Sequence, residues 1–227
     1  MHQFTPCVSG LHRNFAFLSV FLLVLAVPPA CAEVQTDTAL TGVQKEWAHI
    51  KYRLPKKQRK DAFRKLYARA GQIRIAHPAK GEALLWEGII LTDYAGEQGG
   101  IRALQMIKQS RKLFEKALNT NPHIAHGAVY IQLGNLYFEV PGWPLGFGDM
   151  GKARILLDKG LSISPDGLDA NYFMGKFLLK QKKYHKAARY LRRALAAPLL
   201  PGRIIADTGR KSDARRLLNL ITQKLNL

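Results

Sequence analysis

The glycine-rich segment Gly146-Phe147-Gly148-Asp149-Met150-Gly151 matches G-x-G-x-x-G, the pattern that brings a helix N-terminus close to the phosphates of a dinucleotide. A dinucleotide site requires a β-strand directly before this motif, within a βαβ unit. The residues before Gly146 have the apolar spacing of a helix instead. We therefore expect these glycines to form a tight loop that returns the chain to the next helix, and we predict no nucleotide cofactor.

His123 and His126 lie three positions apart near a predicted helix start, a spacing that could supply two ligands to a metal ion. A zinc site needs three or four protein ligands, and no cysteine or carboxylate is near them in the sequence. We expect both histidines to lie on the surface, and we predict no metal. The sequence also contains no H-E-x-x-H, C-x-x-C, P-loop or G-x-S-x-G motif, so it does not predict an enzyme.

The helices that would position a binding site follow a repeating pattern. Gly134 and Gly175 each occupy the eighth position of a first helix, and Ala153 and Ala187 occupy the matching small position of a second helix. Small residues at these places let two helices pack closely, and a proline follows each pair. This is the pattern of the tetratricopeptide (TPR) repeat, a helix–turn–helix unit of about 34 residues. Such units must stack in order to bury their apolar faces.

The same pattern divides the chain into about four helical hairpins and a last helix. The fold class predicted is an all-α, TPR-like solenoid over residues 41–227. Its parts are a first, degenerate repeat with helices at 41–54 and 56–76, repeats at 81–122, 127–165 and 168–198, a linker at 199–207, and a capping helix at 208–225 that covers the open end.

Two of the repeats are longer than the standard unit. The relevant measure is the number of residues from the eighth position of the first helix to the small position of the second. It is smallest in repeat four (Gly175 to Ala187), larger in repeat three (Gly134 to Ala153) and largest in repeat two (Gly88 to Ser110). We expect the extra residues to form long turns at Tyr94–Arg102 and Val140–Asp149. Equivalent turns share one edge of a solenoid, so the two should be neighbours and mark the binding face.

One stripe of each first helix should face the inner groove, because the second, fifth, ninth and twelfth positions lie on one side of the helix. The predicted binding residues on this stripe are Tyr52, Ile89, Asp93, Asn135, Phe138, Tyr172 and Lys176, with Asp169 also on it. Their mixed aromatic, aliphatic and polar character suits a peptide or amphipathic ligand better than a sugar. The alternative is that the superhelix closes on itself and buries these side chains as core.

Trp143 and Phe147 lie in the long turn of repeat three, beside two prolines. In one interpretation the turn is a compact loop packed by its own aromatic side chains. In the other it is a rigid lip of the binding groove, with Trp143 and Phe147 as binding residues. The two interpretations differ in whether the aromatic rings are buried.

The segment 1–32 is predicted to be a secretory signal peptide. Arg13 precedes the apolar run Phe15–Val27, and Ala30-Cys31-Ala32 has the small-residue form of a cleavage site. Cleavage after Ala32 would leave a short polar leader at 33–40, which we expect to be flexible. A lipoprotein with lipid on Cys31 is disfavoured, because the position three places earlier is Pro28. Both cysteines of the chain, Cys7 and Cys31, lie within the signal, so the mature protein would have no disulfide.

The charge of the chain is strongly positive. Arg13 is the only Lys, Arg, Asp or Glu in the segment 1–32, so the remainder carries 34 basic and 16 acidic side chains, a net charge of +18. A basic protein usually suggests nucleic acid, but export argues against it. An anionic membrane surface, a cell-wall polymer or an acidic protein is then a better partner. The alternative is a solvated basic exterior without a partner.

Three segments carry a resemblance to a known group of proteins: PGWPLGFGD (141–149), PDGLDANYFMGKFLL (165–179) and PGRIIADTGRKSDARRLL (201–218). The chain resembles small exported TPR proteins of Gram-negative bacteria and is similar in architecture to the periplasmic TPR component of TRAP transporters. The resemblance implies an α-helical periplasmic protein without assigned chemistry. The function predicted is a periplasmic scaffold that binds a protein or peptide in its groove. The alternative is a small-ligand carrier of a transporter, with a closed apolar pocket.

Overall fold

The computed structural model describes residues 29–225, and every regular element within that range is helical. The helices are α1 (Pro29–Tyr52), α2 (Lys56–Ala76), α3 (Gly81–Gln98), α4 (Gly100–Thr120), α5 (Ala128–Glu139), α6 (Met150–Ile163), α7 (Leu168–Lys180), α8 (Tyr184–Ala196) and α9 (Ile204–Leu225), with a 3-10 turn at Ile124–Gly127. They pair into four hairpins, α1–α2, α3–α4, α5–α6 and α7–α8, followed by α9. The predicted fold class, an all-α TPR-like solenoid, is confirmed.

Two hairpins share the same close approach between their helices. A Cβ atom added to Gly134 of α5 would lie 2.7 Å from Leu157 Cγ and 3.3 Å from the backbone oxygen of Ala153 on α6. A Cβ added to Gly175 of α7 would meet Leu191 and Ala187 of α8 at the same two distances, 2.7 and 3.3 Å. These contacts confirm the predicted register of repeats three and four.

The extra length of repeat two does not form a long turn. Residues 94–98 continue α3, a single residue separates the two helices, and α4 starts at Gly100. Gly99 and Gly100 both have positive φ, 67° and 65°, which lets the chain reverse between two long helices. The prediction of a loop at Tyr94–Arg102 is therefore wrong. The prediction of a loop at Val140–Asp149 is confirmed, since α5 ends at Glu139 and α6 begins at Met150.

The first helix starts earlier than predicted. It begins at Pro29, so residues 33–40 are helical and the expectation of a flexible leader there is wrong. The segment contains no proline or glycine that would break a helix, and Leu40 is buried. Asp37 also forms an ion pair with Lys80, at the start of α3. The predicted signal peptide falls mainly on residues 1–28, outside the described range, and cleavage after Ala32 stays a prediction.

The last helix does more than cover the end of the solenoid. It packs against α7 and α8, as predicted, and also against α1 of the first hairpin. At the α1 contact, a Cβ on Gly209 would lie 2.3 Å from the Tyr52 ring, so only glycine allows this approach without displacement. Because α9 touches both the first and the last hairpins, it crosses the concave face and narrows the groove.

Candidate ligand-binding cavity

A cavity of about 830 Å³ lies on the concave face, and we call it the concave cavity. Its walls come from α1, α3, α5, α7 and α9, with the start of α4 and the 140–149 loop at one end. Five of the nine predicted binding residues line it together: Ile89, Asp93, Asn135, Tyr172 and Lys176. They come from three different repeats, as the helical stripe predicts.

The two segments of extra length meet at this cavity. Gly96, Gly100 and Ile101, from the junction of α3 and α4, line it together with Pro141 and Leu145 of the loop. The prediction that the two segments are neighbours is therefore confirmed, although one of them is helical. The long α3–α4 hairpin forms a wall that a hairpin of standard length would not reach.

Ionic groups in the cavity wall are paired with one another. Lys51 Nζ lies 2.7 Å from Asp93 Oδ1, and Trp47 Nε1 donates a hydrogen bond of 2.6 Å to Asp93 Oδ2. Lys176 Nζ lies 3.1 Å from Glu139 Oε1. Pairing removes most of the net field that these groups would exert on a ligand. The rest of the wall is mostly apolar, so the cavity favours an uncharged or weakly polar occupant.

Asn135 differs from those side chains because one of its polar atoms has no partner. It is only 9% exposed, and its Oδ1 atom has no hydrogen-bond partner among the described protein atoms. A buried carbonyl oxygen without a hydrogen bond costs about 1–3 kcal/mol of folding free energy. Asn135 lines the concave cavity. A ligand that forms a hydrogen bond with the Asn135 amide would recover part of that cost.

Helix α9 divides the concave face at Arg210. The Arg210 side chain is 8% exposed, its Nε atom lies 2.9 Å from Asp169 Oδ1, and its guanidinium covers the rings of Tyr172 at 4.6 Å and Phe173 at 4.8 Å. Arg203 reaches the other oxygen of Asp169 at 2.8 Å. Arg210 lines both the concave cavity and a second cavity of about 330 Å³ on its other side.

The Asp169 carboxylate is the acidic centre of this contact. Burial would raise the pKa of Asp169, but Arg210 and Arg203 outweigh burial and hold that pKa below its ordinary value of 3.8. A group whose pKa is lowered by folding stabilises the folded state above its unfolded-state pKa. That stabilisation is lost as the pH falls through the lower, folded-state pKa.

The Asp169 contact predicts a specific acid sensitivity. Asp169→Asn should lower the free energy of unfolding at neutral pH, and the difference from the wild-type chain should shrink as the pH falls below the ordinary Asp pKa of 3.8. Urea unfolding of both chains across this range measures the difference. A difference that does not change with pH would show that the charge of Asp169 does not hold α9.

Tyr52 and Phe138 do not line the concave cavity, and they match the alternative in which residues of the inner stripe are buried as core. The Tyr52 ring packs against Gly209 of α9, and its hydroxyl lies 3.3 Å from Asp213 Oδ2. Burial raises the pKa of Tyr52, which stays a neutral donor. Phe138 is 1% exposed and packs edge-on against Phe177 at 5.6 Å. Both are structural side chains, because α9 and α7 cover the faces that the repeat pattern leaves open.

The two aromatic residues of the loop have different environments. Phe147 packs edge-on against Tyr137 at 5.4 Å and lies under the guanidinium of Arg111 at 4.4 Å. Phe147 therefore matches the interpretation of a loop packed by its own aromatics. Trp143 is 90% exposed and cannot be an internal plug. Neither residue lines the concave cavity, but Leu145, between them, does.

The glycine-rich motif forms the loop that its sequence predicts. A Cβ on Gly146 would lie 2.6 Å from the backbone oxygen of Pro141, and a Cβ on Gly148 would lie 2.0 Å from that of Val140. Asp149 then caps α6, accepting a hydrogen bond of 2.9 Å from the backbone N–H of Lys152. A helix precedes the motif, so the context of a dinucleotide site is not present here.

The remaining candidates for chemistry are dispersed. His123 and His126 are exposed, as predicted. Among the side chains that the structure describes, at residues 37–225, no three His, Cys, Asp or Glu gather as a metal site would require. In the same part of the chain, no helix combines the length and apolar character needed to cross a membrane.

The residues that α1 and α9 contribute to the cavity were not predicted from sequence. They are Trp47, Lys51, Arg210, Asp213 and Arg216. The repeat pattern does not place Trp47 among the groove-facing positions, and it gives α9 only a capping role. The available signal was the Gly209–Arg210 pair, a glycine followed by a large cation within an amphipathic helix.

Comparison with known proteins agrees with this architecture. Residues 168–197, which span the α7–α8 hairpin, match the tetratricopeptide repeat family. Tetratricopeptide repeats commonly mediate interactions between proteins. No curated protein matches the chain.

Proposed function

We propose that this chain is an exported binding module that holds a short, mostly apolar segment of a protein partner in the concave cavity. The observation that carries the proposal is Asn135, a buried side chain on the cavity wall with an unpartnered carbonyl oxygen. The amide of this side chain would form a hydrogen bond with a backbone group of a bound peptide. The volume of about 830 Å³ lies within the range of about 300–1,000 Å³ that is usual for ligand pockets.

Asn135 gives the proposal a stability test. Asn135→Leu keeps a similar volume and removes the unpartnered oxygen, so the free energy of unfolding should stay equal or rise by about 1 kcal/mol. Residues that serve a ligand commonly lower the stability of the empty protein. Chemical unfolding of the purified chain measures this change.

Asn171 is the matched control for that variant. It is also buried with an unpartnered Oδ1, but its Nδ2 donates to the backbone oxygens of Pro165 at 2.7 Å and Gly167 at 3.0 Å. Asn171→Leu should therefore lower the free energy of unfolding by about 1–3 kcal/mol. An equal loss in Asn135→Leu would show that Asn135 serves the fold and not a ligand.

Binding itself is tested by selecting a displayed random-peptide library on the purified chain. We expect enriched peptides with an apolar core, and we expect the same peptides to bind Asn135→Leu more weakly by about 1–3 kcal/mol, the cost of an unmet buried hydrogen bond. Enrichment that does not differ between the two chains would place the peptide outside the concave cavity and contradict the proposal.

A second candidate function is a small-ligand carrier that serves a transporter. The observation that favours it is that α9 crosses the groove and forms one wall of the concave cavity. Native mass spectrometry of the chain purified from its producing cells distinguishes the two. A bound small molecule that is lost in Asn135→Leu supports the carrier, and a chain free of small molecules with selected peptides supports the scaffold.

Export to the periplasm is part of the proposal and rests on the apolar run Phe15–Val27 and the small residues before Glu33. Mass spectrometry of the exported chain should give an N-terminus at Glu33. An acylated N-terminus at Cys31, or a chain that retains Met1, would contradict it.

A further inference from the structure

Three large apolar side chains are exposed together beside the concave cavity. Ile101 is 85% exposed, Trp143 is 90% exposed and Leu145 is 72% exposed. Ile101 and Leu145 line the concave cavity, while Trp143 and Leu145 line an adjoining surface pocket of about 640 Å³. Leu145 therefore joins the three into one apolar surface at the border of the cavity. Exposed apolar surface of this kind marks an interaction site.

Basic side chains of α4 lie on the other wall of that surface pocket. Lys108, Arg111 and Lys112 are spaced so that they share one face of the helix, and all three line the pocket. Both lysines are exposed, and Arg111 is fixed over the Phe147 ring at 4.4 Å. None of the described residues that line this pocket is acidic. We call this surface, formed by Ile101, Lys108, Lys112, Trp143 and Leu145, the docking edge.

We propose that the docking edge binds the surface of an anionic phospholipid bilayer. Tryptophan and leucine enter the boundary between head groups and acyl chains, and neighbouring lysines bind lipid phosphates. A protein partner would favour a different composition, because lysine is depleted in protein–protein interfaces. The net charge of +18 that the chain carries beyond Ala32 attracts it to the same surface.

This docking would bring the concave cavity to the membrane, since Ile101 and Leu145 belong to both surfaces. An occupant of the cavity would then be received or delivered at the lipid surface. The proposal does not depend on what that occupant is.

Sedimentation of the exported chain with phospholipid vesicles tests the proposal. We expect binding to vesicles of phosphatidylglycerol and phosphatidylcholine, and much weaker binding to phosphatidylcholine alone. Lys108→Ala/Lys112→Ala should lower the partition coefficient about tenfold or more, since each basic residue near an anionic surface contributes about 1 kcal/mol. Trp143→Ala should also weaken binding, and brominated lipid should quench the wild-type tryptophan emission but not the emission of that variant.

Two controls separate the docking edge from general effects. Lys57→Ala/Lys60→Ala removes the same charge from exposed positions on α2, and Ile155→Ala removes an apolar side chain that is 59% exposed on α6. Both should bind as the wild type does, and all chains are compared in the exported form, which lacks the apolar run Phe15–Val27. Equal losses in the α2 and α4 variants, or quenching that survives Trp143→Ala, would overturn the proposal. Capture of a protein through this edge without vesicle binding would overturn it as well.

Discussion

Replacing Gly134 or Gly175 by leucine is expected to lower the free energy of unfolding by about 3 kcal/mol, the upper end of the usual cost of overpacking. The first added atom alone would lie 2.7 Å from a leucine of the facing helix and 3.3 Å from a backbone oxygen. The leucine could rotate, but the backbone oxygen can move only with its helix. In each variant, the two helices of the substituted hairpin should therefore move apart. Thermal and urea unfolding of each variant measure the loss.

Gly42→Leu is the matched control for these variants. Gly42 lies in α1, and no atom is within 4 Å of a Cβ added there. Leucine favours a helix over glycine by about 0.5–1 kcal/mol, so this variant should be equal to or more stable than the wild type. Unchanged stability in both Gly134→Leu and Gly175→Leu would contradict the helix packing described above.

Replacing Arg210 by alanine is expected to have an effect of similar or greater size. It leaves Asp169 without one of its two cationic partners and removes the guanidinium from two aromatic rings. Breaking a buried ion pair from one side costs about 3–5 kcal/mol. The α9 contact with α1 should loosen as well, because Arg210 directly follows the Gly209 contact with Tyr52. In this variant, hydrogen exchange should accelerate more at the α9 amides than at the α7 amides.

Arg215→Ala removes the same charge from an exposed position of the same helix. It should change the free energy of unfolding by less than about 0.5 kcal/mol, as surface substitutions usually do. If Arg210→Ala behaved like Arg215→Ala, the position of α9 across the groove would not depend on the Arg210–Asp169 ion pair.

The repeat pattern predicts the parts of the fold that depend on neighbouring helices. Small residues such as Gly134 and Gly175 report a close approach between two consecutive helices, and the structure has both contacts. The apolar period of each helix also places Ile89, Asn135 and Tyr172 on one inner stripe, and the three line one cavity. These features are local, so the sequence contains them.

Features that depend on distant contacts could not be predicted in the same way. The position of α9 is set by Tyr52 of the first hairpin and Asp169 of the last, and no local pattern connects either of them with the Gly209–Arg210 pair. The absence of a turn in repeat two depends on whether residues 94–98 continue a helix. Their composition allows either outcome, and packing at the wall of the cavity decides it. Phe138 lies in the core and not at the cavity for a related reason, since α7 covers its ring.

The central claim is that the concave cavity is the binding site, and site-specific photo-crosslinking in the producing cells tests it most directly. A photoreactive residue at Gln132, between the two cavities, should give a discrete protein adduct that weakens in an Asn135→Leu background. The same residue at Lys186, on α8, which contributes no described side chain to the concave cavity, should not give that adduct. Identical adducts from both positions, or none from Gln132, would contradict a site in the concave cavity.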